Sequence, residues 1–253
     1  MAIEQEFAGR VAVITGGGRG FGKAFGHALG MRGAHVVLVD IDPAAAQEAV
    51  HELRDEGVDA SAVECDIADD DRVPAMIAQI VGMQGGIDIF INNAGLHSAA
   101  YNEPMEKSGM KKLRRLFDVN LMGTIGCSLA ARTAMRGREN ATIVNISSAA
   151  SYGCNTAYGV SKLAVSGATI TLAREFAADG IRVNAIAPGM IATDTIVAEL
   201  PRSVIDTVMK GQILPRWGQV DDIVEAMLFL CSTRSSFVTG ETLRIGGGFA
   251  LQI

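Results

Sequence analysis

Short apolar runs rich in β-branched residues alternate along most of the chain with longer segments in which apolar residues recur every three or four positions. The short runs read as strands and the longer segments as amphipathic helices. Such alternation is expected of βαβ units feeding a parallel sheet covered on both faces. Val11 to Thr15 (VAVIT) predicts the first strand. Behind it Phe21, Ala24, Phe25, Ala28 and Leu29 stand at i, i+3, i+4, i+7 and i+8, so a helix packs one apolar face back on the sheet. His35 to Asp40 (HVVLVD) predicts the second strand, followed by a helix with Asp42 as its cap, Pro43 in its first position and Gly57 after its last turn.

The same rhythm predicts a third strand at DASAVEC, a capped helix from about Asp70, a fourth strand at IDIFI and one long helix over about residues 111 to 135. A fifth strand at ATIVNI, a helix over about 158 to 178, a sixth strand from Ile181, a helix from about Asp221 and a last strand at TLRIG complete it. Residues 190 to 216 break the pattern with apolar side chains and no strand, which predicts an inserted helical flap. Together these elements predict a doubly wound α/β fold of about seven parallel strands, in one domain over residues 1–253.

Composition narrows the function classes. Apolar residues make up 49% of the chain and charged ones 20%, which excludes a disordered chain. The net charge of −6, with both signs interspersed, leaves no basic stripe for a phosphate backbone, so nucleic acid is excluded as a partner. No apolar run approaches the ~18 residues of a membrane span. Glu4 and Glu6 stand where a secretory signal would be basic and then apolar, so a soluble, cytoplasmic protein is expected. Cys65, Cys127, Cys154 and Cys231 lie far apart without a C-x-x-C pair, and His27, His35 and His51 fall within helix or strand patterns. Neither a disulfide framework nor a metal site is expected. The 29 glycines exceed the roughly 18 of average usage, and they are not evenly spread.

Five of them crowd Thr15 to Gly22 (TGGGRGFG), between the first strand and its helix. There glycines allow a tight turn and close approach of the backbone to a pyrophosphate, whose charge the free N–H groups at the helix start attract. Asp40 ends the second strand 18 residues after Gly22, where a carboxylate accepts from the ribose hydroxyls of an adenosine and repels a 2′-phosphate. NAD is therefore favoured over NADP. Arg19 argues the other way, since a guanidinium in this loop is able to meet a phosphate.

Tyr158 and Lys162, four apart at a helix start, share one face. An ammonium beside a phenol favours the phenolate and moves the phenol toward general-base chemistry at neutral pH. Spacing alone fits equally a surface tyrosine stacked along a lysine stem. Asn120, amid Phe117, Val119, Leu121 and Met122, reads by itself as a satisfied core amide.

The ordered set TGGGRGFG, Asp40, Cys65-Asp66-Ile67, NNAG (Asn92 to Gly95), Asn120, NISS (Asn145 to Ser148), YGVSK (Tyr158 to Lys162), NAIAPG (Asn184 to Gly189) and VTGETLRIGGG resembles the short-chain dehydrogenase/reductase family over nearly the whole chain. The resemblance implies a Rossmann-like fold, a nicotinamide dinucleotide cofactor and a homotetramer formed partly by the helices near 111–135 and 158–178. It also implies an alcohol dehydrogenase or ketoreductase. In that pattern Tyr158 removes the alcohol proton, Lys162 also holds the nicotinamide ribose, Ser148 binds the reacting oxygen and Asn120 supports a water-mediated proton relay.

By the same resemblance Gly16, Gly18, Arg19, Gly20, Phe21, Gly22, Ile41, Cys65, Asp66, Ile67, Asn92, Ala94 and Gly95 border the cofactor. Pro188, Gly189, Ile191 and Thr193 lie on its nicotinamide side. His97 and Met190 are candidate substrate contacts. The chain departs from the family in a shortened stretch between Ser148 and Tyr158, which keeps Ser147 and then Ser151 as further candidates for the catalytic serine. It also carries Gly246 where the family commonly has an acid. Apolar residues in the flap point to a small apolar alcohol or ketone as substrate. The competing readings are a 3-oxoacyl thioester reductase and a non-catalytic dinucleotide-binding protein.

Overall fold

The β-branched runs pair into one parallel sheet in the order β3-β2-β1-β4-β5-β6-β7. The strands are β1 Val11–Thr15, β2 His35–Asp40, β3 Ala60–Glu64, β4 Ile89–Asn92, β5 Thr142–Ile146, β6 Arg182–Pro188 and β7 Thr242–Ile245. A computed structural model of the chain describes residues 5–96, 101, 103–193 and 202–249. The helices are α1 Gly20–Gly30, α2 Pro43–Asp55, α3 Arg72–Gln84, α4 Met105–Ser108, α5 Met110–Phe117, α6 Thr124–Met135, α7 Ala150–Gly153, α8 Ala157–Phe176, α9 Arg202–Gly211 and α10 Val220–Cys231. Among the described residues no helix is long and apolar enough to cross a membrane.

Alternation along β1 shows why both faces are covered. Ala12 and Ile14 point into a core shared with α1, α2 and α10, whereas Val11 and Val13 point into a second core with α3, α6 and α8. Each fully buried Val or Ile is worth about 1.5–3 kcal/mol, so a one-residue slip of register exchanges two packed faces and is strongly disfavoured. The strand order reverses between β1 and β4, which opens a crevice at the carboxyl ends of these strands.

Details of three helices are settled by the packing. The single helix expected over 111–135 is broken into α5, a π-helical turn over Asp118–Gly123, and α6. The wider turn carries Asn120, whose carboxamide is bonded to Leu96 and Ser161, and it brings Gly123 so close to Ile67 that a Cβ there would sit 2.7 Å from Ile67 Cδ1. Periodicity cannot reveal one extra residue in a turn. The helix expected from about Asp70 begins at Arg72, and its first turn is met by Asp69, whose Oδ1 accepts from the N–H groups of Asp71 and Arg72, both at 3.1 Å. The helix expected over 158–178 ends as α8 at Phe176, followed by a 3₁₀ turn over Ala177–Asp179. In the flap, α9 is described and residues 194–201 lie outside the described residues.

Candidate active site

The loop after β1 is shaped by main chain. Gly16 and Gly20 take φ of +63° and +53°, which other residues rarely adopt, and a Cβ on Gly22 would stand 2.0 Å from the Gly16 carbonyl oxygen. Gly20 faces open space, with nothing within 4 Å of where a Cβ would be. The loop is braced by β4: Asn93 Nδ2 donates to the carbonyls of Thr15 (3.0 Å) and Gly16 (2.9 Å). Thr15 Oγ1 accepts from the N–H groups of Asn93 and Ala94 at 3.1 Å each. Neither Thr15 nor Asn93 was singled out from the sequence, although the doubled amide in NNAG was a visible signal. Phe21 stacks on Phe25 at 5.9 Å and so helps seat α1 on its core.

Asp40 is buried at the end of β2. Its Oδ2 accepts from Gly18 N–H at 2.9 Å and its Oδ1 from Asp42 N–H at 3.0 Å, which leaves further lone pairs for a ligand. Arg19, beside it, pairs with Asp42 at 2.9 Å, and Ile41 between the two acids is exposed. Farther along, burial pushes the Cys65 thiol up, and Ile67 packs against Gly123. Burial raises the Asp66 carboxyl, but the Ala68 N–H and Arg115 outweigh it and hold the group below its ordinary value.

Asn92, expected at the dinucleotide, turns its side chain inward and donates to Ser128 Oγ (2.9 Å) and Asn145 Oδ1 (2.8 Å). The alternation of side chains along β4 places this carboxamide among buried polar partners. Gly95 lies against the site, and its missing side chain leaves room there: a Cβ would approach Asn120 Oδ1 and Lys162 Nζ to 3.2 Å each.

Thr156 caps α8, accepting from Gly159 N–H at 3.3 Å, and so fixes where Tyr158 and Lys162 emerge. Of the three candidate serines, Ser148 is the one whose side chain acts on the Tyr158 phenol, favouring its charged form. Ser147 is turned away, donating to the Lys162 carbonyl at 2.9 Å, and Ser151 is buried within α7. The short connection is accommodated by that helical turn, packed so tightly on α8 that a Cβ on Gly159 would lie 2.6 Å from the Ala150 carbonyl oxygen.

Lys162 is buried and donates to the Ile146 carbonyl at 2.8 Å, with its Nζ 5.9 Å from the centre of the Tyr158 ring. Burial lowers Lys162 to about 8. Burial also raises the Tyr158 phenol, and the Ser148 side chain offsets part of that rise. The expected lowering of the phenol by the ammonium is therefore not what this arrangement shows, because desolvation disfavours both charged forms. Asn120 Oδ1 accepts from Leu96 N–H at 2.8 Å and its Nδ2 donates to Ser161 Oγ at 3.0 Å, tying the π-helical turn to α8.

On the far side, Pro188 ends β6 and Gly189 meets Gly246 so closely that a Cβ on Gly189 would stand 2.6 Å from Gly246 Cα. Met190 and Ile191 are buried, Ile191 bridges to Gly218, and Thr193 N–H donates to the Ile191 carbonyl at 2.8 Å. Gly247 and Gly248 take φ of +58° and +85°, and the Gly247 carbonyl accepts from Ile213 and Leu214 at 2.9 Å each. The closing glycines thus tie β7 to the exit of the flap. Between them is a cavity of about 400 Å³ lined by Met190, Ile191, Gln212, Ile213, Leu214 and Arg216, among others. His97 lies outside the described residues.

A family model described as enoyl-(acyl carrier protein) reductase matches residues 16–250. Two curated relatives are similar along almost their full length. A 3α-hydroxysteroid dehydrogenase of Mediterraneibacter gnavus is 38% identical, over 94% of this chain and 96% of its own. A cis-4-hydroxycyclohexanecarboxylate dehydrogenase of Sinomonas cyclohexanicum is 35% identical, over 97% and 98%. The protein belongs to the short-chain dehydrogenase/reductase family. A solved 3-oxoacyl-[acyl-carrier protein] reductase of Brucella melitensis with bound NAD is 34% identical and superposes with a TM-score of 0.87, covering 99% of this chain and 95% of that one.

The short-chain dehydrogenase/reductase family is one of oxidoreductases, and both curated relatives are named for substrates oxidised at a CH–OH group. Against the family's pattern, the shortened loop here leaves Ser148 as the serine that meets Tyr158. The glycine at 246 adjoins Gly189 closely enough that the strand ends of β6 and β7 come into direct main-chain contact.

Proposed function

We propose that the protein is an NAD-dependent dehydrogenase that interconverts a secondary alcohol and a ketone, acting on a small apolar alicyclic or aromatic substrate. The observation that carries this reading is the placement of Tyr158 against the buried Lys162, whose Nζ lies 5.9 Å from the centre of the phenol ring, with Ser148 acting on the phenol, in a chain that also builds a glycine-shaped loop after β1. A nicotinamide dinucleotide fits the residues present. The open side of Gly20 and the start of α1 suit a pyrophosphate, and the free lone pairs of Asp40 suit ribose hydroxyls while its charge opposes a 2′-phosphate. Asp66 borders the adenine, Lys162 holds the nicotinamide ribose, and Pro188 to Thr193 lie on the nicotinamide side.

The dinucleotide, when bound, accepts or supplies the hydride. Tyr158 holds the moving proton at its phenol oxygen: as phenolate it takes the alcohol proton in oxidation, and as phenol it returns it to the carbonyl oxygen in reduction. Ser148 holds the reacting oxygen in place. Asn120, held in the π-helical turn by Leu96 and Ser161, supports a water-mediated proton relay. On the apolar side, Met190 and Ile191 at the base of the flap and Ile213 and Leu214 at its exit line a cavity suited to an apolar substrate. A homotetramer covers Met122, Leu129, Leu163 and Ile170, which are large, apolar and exposed on the single chain.

The test is reduction of NAD, with NADP in parallel, across a panel of structurally varied secondary alcohols. Turnover with NAD that disappears in Tyr158→Phe is expected. A strong NADP preference overturns the Asp40 argument. NADH binding without turnover, with Tyr158→Phe behaving like wild type, leaves a non-catalytic dinucleotide-binding protein instead. A 3-oxoacyl thioester reductase is the second reading, favoured by the Brucella melitensis relative of that activity, which carries NAD despite the usual association of that role with NADPH. Oxidation of NADH by a short 3-oxoacyl thioester, faster than by any simple ketone, would establish it.

A further inference from the structure

Arg19 is the only charged residue between Thr15 and Gly22, and it is extended in the direction of the Asp40 side of the crevice. Its Nη2 lies 2.9 Å from Asp42 Oδ2. Asp42 is held for this contact by two further bonds: its N–H donates to Asp40 Oδ1 at 3.0 Å, and its Oδ1 caps α2 by accepting from Ala45 N–H at 3.2 Å. The pair also belongs to a series. Arg19, Lys23 and His27 stand four residues apart on one face of α1, and each meets an acid at or on α2, namely Asp42, Glu52 and Glu56. The basic stripe of α1 is thus answered along its length by acids from one neighbouring element.

We propose that Asp42 is a cofactor-selectivity residue, which by holding the Arg19 guanidinium withholds the phosphate loop's cation from a 2′-phosphate. The inference rests on the reading of the crevice as an NAD site and adds a second acid to it. Asp40 opposes a 2′-phosphate by its own charge; Asp42 does so by occupying the group that would otherwise attract it. Both partners are exposed, with relative areas of 73% and 43%, so water screens the pair and its grip is modest. An exposed ion pair of this kind is worth at most about a factor of five in an equilibrium.

The test is a cycle of four proteins, wild type, Asp42→Asn, Arg19→Ala and the double variant, with dissociation constants for NAD⁺ and NADP⁺ measured by calorimetry. Asparagine caps helices as well as aspartate does, so α2 is preserved. In wild type, NAD⁺ binds more tightly. In Asp42→Asn, NADP⁺ is expected to tighten by about five-fold while NAD⁺ stays within about two-fold. In the Arg19→Ala background the same Asp42 change is expected to leave NADP⁺ where it was. Selectivity that fails to move in Asp42→Asn, or moves equally with and without Arg19, overturns the role of Asp42 and leaves the NAD reading standing. Tighter NADP⁺ binding by wild type itself overturns both.

Discussion

At the ends of β1 and β2 the crevice is lined by main chain, whereas at the ends of β5 and β6 it is lined by enclosed side chains. In the first region Gly16, Gly20 and Gly22 act through backbone angles and the room left by a missing Cβ, and the polar groups are N–H donors next to Asp40. In the second, Ser148, Tyr158, Lys162 and Asn120 come from the end of β5, the start of α8 and the π-helical turn, and the proton affinities of Tyr158 and Lys162 are shifted chiefly by burial. A site of the first kind fails sterically and locally. A site of the second kind fails electrostatically, and its failure depends on pH.

Substitutions can break that contrast. The largest effect is expected from Tyr158→Phe, which removes the proton carrier and is expected to lower kcat by about 10²–10⁴-fold, with NADH affinity and melting temperature nearly unchanged. Matching pH profiles sharpen the point: oxidation of the alcohol is expected to speed up as pH rises and the phenol loses its proton, while ketone reduction slows. Steady-state rates in both directions check the sign.

Next is Lys162→Met. The folded protein releases the Lys162 proton near about 8, below the ordinary 10.5, so between those values the unfolded chain holds more protons. Wild-type stability is therefore expected to rise relative to the variant as pH increases over this window, by up to about 3 kcal/mol. Below about 8 the cost of the buried charge is fully present and the difference is flat. Urea titrations at a series of pH values read it directly, and a flat difference throughout would mean that the ammonium is well solvated.

In the main-chain region, Gly22→Ala is expected to destabilise the fold by about 1–3 kcal/mol and to weaken NADH binding, since the new methyl collides with the Gly16 carbonyl. The control is Gly82→Ala on α3, where nothing lies within 4 Å, with an expected gain of about 0.5–1 kcal/mol. The smallest effect is assigned to Ser147→Ala, which removes one hydrogen bond to the Lys162 carbonyl and is expected to cost about 1 kcal/mol of stability while leaving kcat far closer to wild type than Ser148→Ala does.

Much of the frame was legible in the residues. VAVIT and HVVLVD are strands as read, Asp42 caps α2 with Pro43 behind it, and the expected parallel order holds across all seven strands. These features rest on contacts between residues close in sequence or on strict alternation. What the residues do not show falls where one residue alters a turn, where burial overrides a charge or where a side chain finds a distant partner. The π-helical turn, the inward Asn92, the bracing by Asn93 and the raised phenol of Tyr158 all depend on partners brought from other elements.

The glycine loop, Asp40 at a strand end and the four-residue spacing of Tyr158 and Lys162 were determined by the sequence itself, because each needs only local backbone geometry and the period of one element. Which serine meets the phenol, which way Asn92 turns, and why Gly246 to Gly248 close the chain were decided only in the tertiary structure. Those outcomes follow from the distance between strand ends and from desolvation, and neither quantity exists until the sheet and its helices have packed.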